Sequence, residues 1–162
     1  MPRDDDPADD GTQQAGGMGL LLWQVSNLWQ RQMRRALADL GLTHVQFALL
    51  SGLARLERRR GQVTQADLAA HCHVDPMMTS QVLRALETSG HVARIAHPTD
   101  TRAKCPTLTR SGHHLVAKAA PLAGAVDEAF FALAGQRGDR LTKSLRKLRR
   151  RAETAAAGID AT

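Results

Sequence analysis

The chain has 162 residues, of which 43% are hydrophobic and only 3% aromatic, and it contains no tyrosine. This length suits one domain with a core of its own, and two cysteines are too few for a disulfide scaffold. The net charge of +6 is uneven: residues 1–17 hold one Arg against five Asp, a net of −4, which leaves 21 basic and 11 acidic residues, or +10. The strong positive charge of the chain after residue 17 favours a polyanionic partner. Nucleic acid is favoured over an anionic membrane surface.

Residues 1–17 are rich in Asp, Gly, Pro and Gln, and we expect a disordered acidic tail because they bury too little apolar surface. The apolar run that follows, Met18 to Trp23, is far too short to span a bilayer. Nor does a positive-then-apolar signal peptide open the chain. We therefore expect a cytoplasmic protein with no membrane contact.

The next segments carry the spacing and the caps of helices. Apolar residues at intervals of three and four predict a helix over 18–40, ended by Gly41. Thr43 with Gln46 forms a capping-box pattern for a second helix, which continues to the basic run 58–60 and stops at Gly61.

Two shorter helices follow in quick succession. Thr64 and Asp67 form another cap pattern and open a helix through about Cys72. Asp75 suits an N-cap and Pro76 the first helical position, so a fourth helix is predicted from there to about residue 89.

A two-stranded ribbon is predicted from residue 91 to residue 108, with turn-forming residues at its tip. Pro106 is expected to weaken its second strand, since proline is confined to edges and bulges. Thr109 then caps a long helix to about 134, in which Pro121 should produce a kink, and a last helix is predicted over 139–156. The fold class is mostly α, with a helix-turn-helix followed by a ribbon.

The fourth helix divides into two faces. Thr79, Val82, Leu83 and Leu86 share one face at helical spacing. The other face offers an amide that pairs with adenine, an Arg that pairs with guanine or phosphate, and methionines that contact thymine methyls. We predict DNA contacts from Pro76, Met77, Met78, Ser80, Gln81 and Arg84. The alternative is an ordinary solvated face with the methionines as core filler, and the position third in a helix-turn-helix favours DNA.

From Leu42 to Gly112 the chain resembles the multiple antibiotic resistance regulator (MarR) family. The matching stretches are LTHVQFALLSGL, VTQADLAAHCHVD, MMTSQVLRALETSG, VARIAHPTDTRA and LTRSG. The most specific element is the Asp-x-Arg of the ribbon, Asp100 and Arg102, followed by Leu108-Thr109 and Gly112. The chain departs from the family at Pro106, where an ordinary strand residue is usual.

The resemblance implies a dimeric winged helix that regulates transcription. The ribbon is then the wing, and Arg102 at its tip is expected to enter a minor groove, where a narrow A·T-rich form concentrates negative potential. Asp100 is expected to hold Arg102 by a charge-assisted bond, or to stabilise the turn through its own backbone. Arg94 and Lys104 are expected to face phosphates.

The expected organisation has four parts: an acidic tail over 1–17, a dimerisation helix over 18–41, a DNA-binding lobe over 42–108 and dimerisation helices over 109–162. The terminal helices carry apolar stripes that a partner chain would cover. The expected partners are a palindromic operator in double-stranded DNA and a second copy of the chain.

The resemblance also implies that a small molecule, often aromatic or anionic, binds in a cleft between the dimerisation helices and the lobe. Trp23, Trp29, Met33 and Phe47 are the candidates for such a pocket, although a core role is the simpler interpretation. We predict a repressor released by a small molecule, with an effector-free architectural DNA binder as the alternative.

A third reading is a redox-sensing regulator built on Cys72 or on Cys105, which lies near the wing and is expected to be exposed. The seven histidines show no strong ligand spacing, so neither a metal nor another cofactor is expected. No phosphate-cradling glycine motif and no nucleophile elbow point to an enzyme.

Overall fold

The computed structural model describes residues 17–96 and 104–159. Six α-helices and one ribbon follow one another in the predicted order. They are α1 (Met18–Leu37), α2 (His44–Arg60), α3 (Gln65–Cys72), α4 (Pro76–Thr88), β1 (Val92–Ala96), β2 (Lys104–Leu108), α5 (Arg110–Ala132) and α6 (Gly138–Ile159). Short 3₁₀ turns at Ala38–Leu40 and Gly135–Arg137 follow α1 and precede α6.

The predicted ends need small corrections. The α-helical part of the first helix stops at Leu37, and the 3₁₀ turn carries the chain to Leu40 before Gly41 adopts a left-handed φ of 64°. The fifth helix ends at Ala132 rather than 134, and α6 begins one residue earlier and ends three residues later than predicted. Helix α5 is one element through Pro121.

Local capping decides where the helices of the lobe begin. Both predicted capping boxes form: the Thr43 hydroxyl accepts from Gln46 N and the Thr64 hydroxyl accepts from Asp67 N, while each partner side chain accepts from the cap backbone. At α4, Asp75 Oδ1 accepts from Met77 N at 2.8 Å and Met78 N at 3.0 Å. These bonds satisfy amides that a helix start leaves without intrahelical partners.

The core lies where α2 meets the short helices, the ribbon and α5. Leu49, Leu50 and Leu53 of α2 are fully buried, together with Leu68 of α3 and Leu83 of α4. Helix α1 joins this core only through its C-terminal half, where Met33 and Leu37 are buried. The lobe is therefore a packed unit to which α1, α5 and α6, the outer helices, are attached.

The ribbon pairs along its whole described length. The strands β1 and β2 are antiparallel over five positions, from Val92 opposite Leu108 to Ala96 opposite Lys104. Pro106 sits opposite Arg94 within this register, so the expected weakening of the second strand is not seen. A two-stranded ribbon has a free edge on each strand, and proline is tolerated at an edge.

The outer helices keep large apolar side chains at the surface of one protomer. On α1 these include Leu21, Trp23 and Leu28, and on α6 Leu145 and Leu148. No single helix within 17–96 and 104–159 is long and apolar enough to cross a membrane. By length and composition alone, only Met18–Leu40 taken together with His44–Arg60, a pair bent by 78°, passes that test.

Candidate nucleic-acid interface

Helix α4 presents the two faces that its sequence predicts. Thr79, Leu83 and Leu86 are buried, and Val82 is half-buried. On the other side Met77 and Met78 are 71% and 47% exposed, so neither methionine serves as core filler. Pro76, Gln81 and Arg84 are also exposed, and Ser80 is half-buried. A row of donors and methyl groups therefore faces outward from a helix that the core holds firmly.

Arg84 is held loosely on its own helix. Its Nε donates to the Ser80 carbonyl at 3.4 Å and its Nη2 to Ser80 Oγ at 3.5 Å, both at the long end for a hydrogen bond. Gln81 lies in the second turn of α4 and is exposed.

Arg94 on β1 has a protein partner that the sequence analysis missed. Its Nε donates to Glu87 Oε2 at 3.0 Å, and the Arg94 side chain is only 24% exposed. The pair joins the end of α4 to the wing. A phosphate contact by Arg94 would have to compete with, or share, this ion pair.

Glu57, also absent from the predicted set, fixes the base of the wing. Its Oε1 accepts from Thr107 Oγ1 at 2.7 Å and from Leu108 N at 3.0 Å, so one carboxylate of α2 holds strand β2. A cleft of about 310 Å³ opens beside it, lined by Glu57, Gly61, Gln62, Ile95, Pro106 and Thr107. Asp100 and Arg102 lie outside the described residues, and Lys104 is described only as the first residue of β2.

A second polar cluster joins three helices where the outer helices meet the lobe. Trp29 Nε1 on α1 donates to Asp127 Oδ1 on α5 at 2.8 Å. The Trp29 ring also packs edge-to-face on the ring of His44 of α2, with the ring centroids 4.6 Å apart. Burial lowers the pKa of His44, and the negative charge of Asp127 opposes that shift. Neither His44 nor Asp127 was singled out from the sequence.

The four candidate effector residues differ in how deeply they are buried. Met33 is buried in the core, and Phe47 and Trp29 are partly buried against it. Trp23 is 63% exposed on α1. Only Trp29 combines an aromatic face with a polar partner, and none of the four lines the cleft beside Glu57.

The cysteines depart from expectation in one respect. Cys105 is 1% exposed within strand β2, so the exposure expected for it was wrong. Cys72 is half-buried, its Sγ donates weakly to the Ala48 carbonyl at 3.6 Å, and burial raises the pKa of its thiol. In the part of the chain that the structure describes, no three His, Cys, Asp or Glu side chains are grouped to hold a metal ion.

Several known proteins are similar to this chain. The MarR family model matches residues 42–104. An uncharacterised HTH-type transcriptional regulator of Bacillus subtilis is 41% identical over 116 residues, which cover 72% of this chain and 79% of that protein. An HTH-type transcriptional repressor of Mycobacterium tuberculosis is 34% identical over 110 residues, 68% of this chain and 76% of its own length.

Solved structures share the fold. The same mycobacterial protein, in complex with salicylic acid, aligns with a TM-score of 0.61 at 33% identity and covers 81% of this chain and 95% of its own. A variant of MarR from Escherichia coli in complex with operator DNA aligns with a TM-score of 0.70 at 23% identity, over 80% of this chain and 90% of that one. At that identity the second likeness concerns the fold alone. With a winged helix and relatives of this identity and coverage, the chain belongs to the MarR family of DNA-binding transcriptional regulators and is not an enzyme.

Proposed function

We propose that the protein is a homodimeric repressor that binds a palindromic operator and leaves it when a small aromatic or anionic molecule binds. The observation that carries the proposal is α4, whose buried face fixes it to the core while Met77, Gln81 and Arg84 remain exposed. A helix anchored in this way can enter the major groove as a rigid unit. The mycobacterial relative is named a transcriptional repressor, which supports repression rather than activation.

Dimerisation is supported by the outer helices. Leu21, Trp23 and Leu28 on α1 and Leu145 and Leu148 on α6 keep between 39% and 63% of their surface exposed in one protomer. Grouped exposure of large apolar side chains is typical of a protein–protein interface. A two-fold dimer would also place two copies of α4 on the two halves of a palindrome.

We assign the effector to the cluster formed by Trp29, His44 and Asp127, which we call the Trp29 cluster. A ligand carboxylate could take the place of Asp127 on the Trp29 indole N–H, while the half-buried rings of Trp29 and His44 would contact an aromatic body. Because the cluster joins α1, α2 and α5, its rearrangement would move the lobe relative to the outer helices. The salicylic acid complex of the mycobacterial relative supports this class of ligand.

The test is release of DNA in solution. Fragments of the source genome retained by the protein would be labelled, and their binding followed by anisotropy as salicylate is added. We expect salicylate to weaken binding by the wild type, and Trp29→Phe to reduce that effect because it removes the indole donor. Trp23→Phe is the matched control and should respond like the wild type. DNA binding that no aromatic acid changes would instead favour the architectural alternative.

A redox-sensing regulator is less well supported. Cys105 is buried, and burial raises the pKa of the Cys72 thiol, so little reactive thiolate is expected at neutral pH. If peroxide releases DNA from the wild type and not from a variant with both cysteines replaced by serine, this alternative replaces the effector proposal.

A further inference from the structure

Helix α6 carries a concentration of positive charge that is separate from the proposed DNA contacts of α4 and the wing. It carries seven basic residues and two acidic ones. The basic residues are Arg140, Lys143, Arg146, Lys147, Arg149, Arg150 and Arg151, and all are exposed in one protomer. Leu141, Leu145 and Leu148 form a separate apolar stripe. A dimer contact would use the leucines and leave the cations without a role.

One contact brings α6 to the DNA-binding lobe. Glu153 Oε1 lies 3.0 Å from His73 Nε2 and 3.2 Å from Arg149 Nε. His73 caps the end of α3 with a left-handed φ of 52°, and it lies in the turn between α3 and α4, three residues before Pro76. The last helix therefore reaches the turn of the helix-turn-helix.

Helical geometry then places six of the seven cations in two groups, with Lys143 between them. At about 100° per residue, Arg146, Arg149 and Arg150 lie within about 60° of Glu153 around the helix axis. Arg140, Lys147 and Arg151 lie about 120–160° away from it. Only the first group, which we call the lobe-side arginines, is on the side of α6 that meets His73.

The turn that α6 approaches is close to where DNA would run. In a helix-turn-helix the N-terminal residues of the second helix contact base edges, and the first helix crosses the sugar–phosphate backbone. Positive charge continues past this turn onto α2. The pKa of His71 is lowered by its partial burial first and then by the charges of Arg55 and Arg59. Acidic partners of any kind would be attracted here, but the position beside the turn favours phosphates of the bound duplex.

We infer that α6 is a third DNA-contacting element, in which Arg146, Arg149 and Arg150 bind backbone phosphates beside the major-groove site. The inference rests on the proposed DNA binding of α4. Its role is affinity and register rather than base recognition, because phosphate contacts carry no sequence information. Glu153 would hold Arg149 in place and share its charge with His73.

The test compares two triple variants that lose the same charge. Arg146→Gln with Arg149→Gln and Arg150→Gln removes the lobe-side arginines, and Arg140→Gln with Lys147→Gln and Arg151→Gln is the matched control. Affinity for a duplex extended on both sides of the selected site is measured over a range of salt concentrations. Log affinity falls as log salt rises, and each phosphate contact that is lost should make this negative slope shallower by about 0.9. We expect that loss for the lobe-side triple and a wild-type slope for the control.

The remaining outcomes are distinct. If both triples make the slope shallower by the same amount, the inference is overturned, because the effect would then be one of net charge alone. Slopes unchanged in both would overturn it as well and would leave α6 to an acidic protein partner. Wild-type protein that binds no DNA would instead overturn the proposed function. If thermal melting shows that the lobe-side triple is unfolded, Arg146→Gln against Lys147→Gln makes the same comparison with single changes.

Discussion

Gly112 is a residue that the fold cannot exchange. It lies in the first turn of α5, and a Cβ there would collide with the carbonyl oxygen of His91. That carbonyl already accepts from Thr109 N at 3.1 Å and cannot withdraw without disturbing the junction of ribbon and helix. We expect Gly112→Ala to lower the free energy of unfolding by about 1–3 kcal/mol, measured by urea denaturation.

Gly124 provides the control for that experiment. It is exposed in the same helix, and nothing lies within 4 Å of a Cβ added there. Gly124→Ala should be neutral or stabilising by up to about 1 kcal/mol, because alanine loses less backbone entropy in a helix. Equal destabilisation by both substitutions would contradict the close contact at Gly112.

His44 makes stability depend on pH. Burial lowers its pKa in the folded protein, so the unfolded chain takes up the proton at higher pH than the folded chain does. Its contribution to stability is therefore intact above the ordinary histidine pKa of about 6.5 and is lost as pH falls through and below that value. His44→Gln should flatten the loss of stability between about pH 7 and pH 5. Burial also lowers the pKa of His71, so some slope should remain. The measurement is the midpoint of urea denaturation at several pH values in this range. If the midpoint falls equally steeply with pH in the wild type and in the variant, the assignment to His44 is wrong.

The residues predicted correctly are those whose partners are near in sequence. Thr43, Thr64 and Asp75 each cap a helix through amides two or three residues away, so a short pattern contains the whole interaction. Trp29 and Asp127 are 98 residues apart, and Glu57 and Thr107 are 50 apart. No local pattern marks such pairs. The one available signal for Glu57 is a lone acid beside three arginines, where the helix also carries the buried leucines.

Among the contacts between elements that hold the wing, one comes from a single side chain of α2. Glu57 accepts from Thr107 and Leu108 of β2, and both bonds involve its charged carboxylate. We expect Glu57→Leu to lower the free energy of unfolding by about 1–3 kcal/mol, since Leu108 N loses its partner. Affinity for DNA should fall with it, because the wing is no longer fixed. Glu57→Gln retains an acceptor and is the control, and wild-type stability and affinity in Glu57→Leu would show that β2 is held by its pairing with β1 alone.

Element boundaries followed from the sequence more closely than the surroundings of the elements did. The order of six helices and a ribbon, the outward face of α4 and the caps of α2 to α4 are as predicted. The burial of Cys105 and the ion pair of Arg94 with Glu87 were not foreseen. Both depend on the angle at which the ribbon packs against α2 and α4. Periodicity within one segment contains no information about that angle.

For the whole molecule, assembly can be tested without disturbing the core of one protomer. Leu145 and Leu148 are 39% and 54% exposed, so replacing both with Asp should leave the fold intact. We expect the wild type to sediment as a dimer at micromolar concentration and the double variant as a monomer, because charges in an apolar interface are unfavourable. Met77→Asp, at an exposed apolar position outside the outer helices, should remain dimeric. A wild-type monomer at that concentration would contradict the proposed dimer.

Helix α4 and the wing are proposed to read different grooves of one palindromic site. Selection of randomised duplexes with the wild type, Gln81→Ala and Arg102→Ala tests this division. The wild type should enrich two half-sites about one helical turn, or 34–36 Å, apart. Gln81→Ala should relax one or two inner positions of each half-site, at a cost of about 1–3 kcal/mol for a bidentate contact. Arg102→Ala should spare those positions and weaken an A·T preference at the outer edge. If the wild type enriches no paired site, or if both variants lose preference at the same base positions, α4 and the wing do not read separate grooves.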